Sequence, residues 1–113
     1  QLPNEACGLL SGRAWHAEKI WKMENMVPSP ISFRMDEKQV KRVFEEIQRR
    51  GQELVGIYHS HPTTSPLPSP LDIVCVAYED VPQIIVSLAA DLPTVGCFLI
   101  RRATPYPLPL IFG

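Results

Sequence analysis

Proline is spread unevenly along this chain, and its placement limits where regular structure can lie. Pro28 and Pro30 form one group, Pro62, Pro66, Pro68 and Pro70 a second, and Pro105, Pro107 and Pro109 a third, while residues 31–61 contain none. Proline has no N–H to donate and its ring clashes with the preceding turn, so helix interiors and central strands are excluded from those groups. Residues 62–68 read as a proline-rich loop.

Twelve prolines in 113 residues is about 11%, twice the usual share of roughly 5%. Only six glycines accompany them, however, and 45% of the chain is apolar, enough buried surface to offset the entropy of ordering. A chain of this size buries roughly two-thirds of its unfolded surface, which predicts one domain spanning 1–113.

The elements follow from local pattern. Residues 5–12 and 14–23 read as two short strands around a turn at Gly12, and Ile31–Met35 as a further short strand. Asp36 opens the clearest helix: Asp36 and Gln39 have capping-box spacing, Val40, Val43, Phe44 and Ile47 recur at helical intervals, and Gly51 sits at the C-terminal cap. Glu53–His61 alternates with period two, placing Val55, Ile57, His59 and His61 on one face. After the proline loop, Ser69-Pro70-Leu71-Asp72 has the N-cap, first-turn proline and acidic N3 of a second helix running to about Tyr78. Gln83–Leu88 and Val95–Arg101 read as strands, and the segment from Pro105 to Pro109 is excluded from the centre of a sheet. Two helices and about six strands in this order predict an α+β domain with a curved, mostly antiparallel sheet flanked by helices.

Several function classes are disfavoured. Eleven basic residues against twelve acidic ones give a net charge of −1, without the polybasic surface that nucleic acid or a membrane would require. No apolar run approaches the ~18 residues of a membrane span, and no signal peptide is evident. Cys7, Cys75 and Cys97 are an odd number without a CxxC pair, which predicts reduced, buried thiols in a cytoplasmic protein. The chain opens on Gln1 rather than methionine, as a fragment or a processed form would.

His59 and His61 carry the chemistry. Two apart on one strand, their Cα atoms lie roughly 6.5 Å from each other with both rings on the same face. Two imidazoles so placed can meet one zinc ion at about 2.0–2.1 Å. Asp72 is a candidate third ligand, which leaves one position open, as catalytic zinc requires; Glu5 is the candidate proton carrier. Ser60 faces the other side of the strand, in a structural role, and Pro62 ends the strand. Each signal also has a plainer reading. Strand histidines are often buried side chains held by hydrogen bonds, Ser69 and Asp72 fit a capping box, and a lone glutamate is usually a surface residue.

The spacing joins them. His59-Ser60-His61, seven residues, Ser69, two residues and Asp72, with Glu5 upstream in PNEACGLLSG, resembles the JAMM metalloproteases, the catalytic (MPN-plus) branch of the MPN-domain proteins. The stretches ENMVPSPISFRMDEKQ and GIYHSHPTTSPLPSPLD look most like the compact bacterial members. The resemblance implies an MPN-type fold in which His59, His61 and Asp72 bind one zinc ion per chain. It makes Glu5 the general acid/base and gives Ser69 a hydrogen bond to the oxyanion. It further implies hydrolysis of a peptide or isopeptide bond at the C-terminal Gly-Gly tail of a ubiquitin-like or sulfur-carrier protein by a zinc-activated water. Family members usually carry a strand and a helix before the glutamate; here only Gln1–Asn4 precede Glu5.

Rival classes are weaker. An HExxH helix, the deaminase H-x-E with P-C-x-x-C, and a GxSxG elbow are all absent. Two alternatives within the resemblance remain: a deubiquitinase-like isopeptidase, which so short a chain leaves little room to equip with ubiquitin-gripping insertions, and a metal-free MPN-type scaffold, which has no need of the full ligand set.

Overall fold

Among the described residues, the proline-free stretch 31–61 contains one helix and the longest strand. The computed structural model describes residues 6–14, 16–26, 34–62, 64–68 and 80–109. Within them lie β1 (Cys7–Arg13), β2 (His16–Met23), α1 (Glu37–Arg49), β3 (Glu53–His61), β4 (Gln83–Ser87), β5 (Thr94–Arg101) and β6 (Thr104–Pro107). The strands form one six-stranded sheet in the order β2-β1-β3-β4-β5-β6. Every pairing is antiparallel except β3 with β4. That parallel pair needs a long crossover, and residues 62–82, which begin with the proline loop, supply it. The expected α+β class with a mostly antiparallel sheet is observed. The second helix expected from Ser69 lies outside the described residues.

α1 begins and ends as its sequence dictates. The Asp36 carboxylate accepts from the Lys38 N–H at 3.1 Å, satisfying one of the donors that a helix start leaves open. At the other end Gly51 has φ +67°, its N–H donates to the Gln48 carbonyl at 3.0 Å, and the Gln52 N–H donates to that of Ile47 at 3.0 Å. This is the Schellman arrangement, for which glycine is suited because it lacks a Cβ. The Arg13 guanidinium, reaching across from β1, donates to the Arg50 and Gly51 carbonyls and ties the helix end to the sheet.

The core lies on one face of the sheet. Cys7 and Leu9 of β1, Met23 of β2 and Ile57 of β3 form a buried cluster against which Val40, Val43 and Phe44 of α1 pack. Ile85, Phe98 and Ile100 form a second cluster on β4 and β5. The in-phase row of β3 therefore starts apolar under α1, and His59 and His61 extend it beyond the helix.

Two local expectations change. Gly12 is inside β1, where the register shifts and an added Cβ would strike the His16 carbonyl; the left-handed turn residue is Ala14, φ 51°. The capping box is half made, because the Gln39 amide oxygen accepts from the Glu24 N–H at 3.2 Å instead of returning to Asp36. Of the strand expected at Ile31–Met35, Arg34 and Met35 are described, Met35 forming an isolated bridge with Asn25; the rest of it lies outside the described residues. As expected, the proline segment stays out of the sheet centre: it forms the edge strand β6, with Pro105 opposite Ile100 and Pro107 opposite Phe98. Prolines at alternate positions leave intervening N–H groups for pairing, and that of Leu108 donates to the Cys97 carbonyl at 2.8 Å.

Candidate metal centre

His59 and His61 end β3 and are almost completely buried, at 2% and 3% exposure. Their rings are tilted at 55° with centroids 5.0 Å apart, and the two Nε2 atoms approach to 3.2 Å. Two nitrogens each about 2.0–2.1 Å from a tetrahedral zinc would be separated by about 3.3 Å. The pair thus already has the edge length of a zinc site.

The protonation pattern of His61 suits a ligand. Its Nδ1 lies 2.9 Å from the Ser65 carbonyl oxygen, and a carbonyl only accepts, so Nδ1 carries the hydrogen and donates. In the neutral ring this leaves the lone pair on Nε2, the atom turned toward His59. A backbone carbonyl on the far nitrogen is the usual support for a metal-binding histidine. Ser65 precedes Pro66, which restricts its backbone to extended conformations. The proline loop therefore presents a carbonyl to the site.

The neighbouring residues hold the strand ends in place. Ser60, between the histidines, points the other way: its N–H donates to the Ala6 carbonyl at 2.9 Å and its hydroxyl accepts from the Ala6 N–H at 2.8 Å. This is the structural role expected of it, and it fixes the residue next in sequence to Glu5. Cys7 is the register partner of His59. β3 ends before Pro62, and the His61 carbonyl accepts from the Leu88 N–H at 2.9 Å.

Of the residues expected in the site, the structure brings together His59 and His61. Glu5, Ser69 and Asp72 lie outside the described residues, and among the described residues no group of three or more His, Cys, Asp or Glu side chains is placed to hold a metal. Sequence reasoning passed over the Ser65 carbonyl and the buried Ser87, whose hydroxyl donates to the Thr64 carbonyl at 2.5 Å. The available signal for Ser87 was its phase: it stands two residues after the fully buried Ile85, a polar residue on the core face of an apolar strand.

The chain is similar to several known proteins. The desampylase of Pyrococcus furiosus is 36% identical over 69 residues, covering 61% of this chain and 49% of the relative. A probable TtuB-protein conjugate cleaving protease of Thermus thermophilus is 36% identical over 74 residues, 65% of this chain and 49% of the relative. The CysO-cysteine peptidase of Mycobacterium tuberculosis is 32% identical over 87 residues, 75% of this chain and 60% of the relative. The chain thus spans about half the length of the first two. A Desulfitobacterium hafniense protein solved in solution superposes with TM-score 0.87 at 32% identity, over 97% of this chain and 79% of the other. A Salinibacter ruber protein shares the fold with TM-score 0.69 at 20% identity, over 97% and 78% respectively. The family model of prokaryotic homologs of the JAB domain matches residues 1–100, and the chain belongs to that family, whose members are generally zinc-dependent.

Proposed function

We propose that this chain, as one domain over 1–113, is a metallopeptidase that hydrolyses a peptide or isopeptide bond at the C-terminal Gly-Gly tail of a ubiquitin-like or sulfur-carrier protein. The observation that carries the reading is the His59–His61 pair, with Nε2 atoms 3.2 Å apart and His61 held by the Ser65 carbonyl. The names of the relatives, a desampylase, a TtuB-conjugate protease and a CysO-cysteine peptidase, support the substrate class.

In this reading His59, His61 and Asp72 hold one zinc ion per chain. When bound, zinc supplies Lewis acidity toward the scissile carbonyl and toward water. Glu5 takes the proton of the attacking water and delivers it to the leaving amine. The Ser69 hydroxyl donates a hydrogen bond to the oxygen on which negative charge develops. The Nδ1–H bond to Ser65 keeps the His61 ring oriented and its Nε2 lone pair available. A glycine tail suits a centre built on two buried rings, because a Cβ beside the reacting carbonyl would crowd them. The buried Cys97, which forms no disulfide, supports a cytoplasmic setting.

The experiment is a choice of substrates. Zinc-loaded protein is incubated with a sulfur-carrier protein extended beyond its Gly-Gly tail and, separately, with an isopeptide-linked ubiquitin dimer. Release of the extension is expected. Cleavage of the dimer alone would favour a deubiquitinase, and cleavage of neither would favour a scaffold.

A further inference from the structure

We propose that Ser87 is a positioning residue for His61, acting through the proline loop to hold the imidazole in the form that binds a metal; the inference rests on the zinc reading of His61. His61 and Ser87 are register partners in the parallel β3–β4 pair, so their side chains stand on the same face. Ser87 is 2% exposed. Its hydroxyl donates to the Thr64 carbonyl at 2.5 Å and accepts from the Ala89 N–H at 3.2 Å, so its proton is committed to the loop. The next carbonyl along, that of Ser65, receives the His61 Nδ1–H.

A second anchor holds the other side of Ser65. Gly96 of β5 is paired with Ile85, and an added Cβ there would collide with the Pro66 carbonyl oxygen. The loop can therefore lie directly on β5 only because residue 96 has no side chain. Thr64 is tied to Ser87, Pro66 rests on Gly96, and Ser65 between them is further confined by the proline that follows it. The carbonyls on either side of Ser65 are thus held by two strands outside the HxH motif. Without the Ser87 anchor the Ser65 carbonyl is free to turn away, and His61 Nδ1 loses the partner that selects its tautomer.

Two measurements on the full chain test this. Zinc affinity is read by competition with a chromophoric chelator, and the His61 tautomer by long-range proton–nitrogen correlation spectra of the zinc-free protein. Wild type is expected to hold the Nδ1–H form. Ser87→Ala and the size-matched Ser87→Cys should give a mixed tautomer and zinc binding weakened about 10–100-fold. Gly96→Ala should produce the same pair of changes from the other side, and it carries the test if Ser87→Ala fails to fold. A purely structural serine would lower the melting temperature while the folded protein kept its tautomer and bound zinc within twofold of wild type, and that outcome overturns the proposal. If wild type binds no zinc, the metal reading falls, and the tautomer comparison alone decides whether Ser87 positions His61.

Discussion

The Nε2 atoms of His59 and His61 face each other across 3.2 Å, although the residues are separated along β3 by Ser60, whose side chain serves the opposite face. The two-residue period of the strand makes this possible. It assigns the odd positions to the site and the even position to the backbone of β1. One tripeptide therefore both forms the centre and fastens the strand beside it.

Glu5→Gln should retain zinc and lose hydrolysis by a factor of about 10²–10⁴, the range for removing a general acid/base. Ser69→Ala should slow turnover by about 10²–10³ if its hydroxyl stabilises the oxyanion. Metal content and single-turnover rates on the same preparations separate the two effects. Full activity in Glu5→Gln would remove Glu5 from the mechanism, and a loss of stability in Ser69→Ala with normal turnover would return Ser69 to helix capping.

Ser60→Ala strips the Ala6 N–H of its acceptor. Leaving a part-buried donor unsatisfied costs about 1–3 kcal/mol, so the urea midpoint should fall, with faster hydrogen exchange at the Ala6 amide. Ser60→Thr keeps the hydroxyl and should recover most of the loss. Unchanged stability in the alanine variant would show that the β1–β3 end does not depend on this bond.

Burial pushes the Cys97 thiol above its ordinary pKa, and the residue is 8% exposed. Since the thiolate is the reactive form, Cys97 should be alkylated at neutral pH at least about tenfold more slowly in the folded protein than in urea. Mass spectrometry of iodoacetamide-treated protein reads this site by site. Equal rates in both states would mean that β5 opens readily at this position.

Much of the frame is legible in the residues themselves. Val40, Val43, Phe44 and Ile47 mark α1, Gly51 marks its end, and the alternation of β3 places both histidines on one side, because these features depend on local periodicity. Gly12 misled for the same reason. Glycine is the common turn residue, but here the tertiary approach of the His16 carbonyl claims it, and Ala14 takes the left-handed angle instead. The β5–β6 hairpin turns through Arg102 and Ala103, both with positive φ, a conformation usually given to Asn-Gly pairs and so invisible to a search for turn residues. The supports of the centre were hidden more deeply. Ser87 and Gly96 meet the proline loop across strands far apart in sequence, and only the sheet order brings them to His61.

The most direct test of the central claim is native mass spectrometry of the purified wild-type chain beside His59→Ala and His61→Ala after zinc loading and removal of excess metal. The account predicts one zinc per wild-type chain and binding weakened by more than about a hundredfold in either variant, since losing a ligand should cost at least as much as losing the support behind one. Wild-type protein without zinc, or either variant still binding it with wild-type affinity, would contradict it.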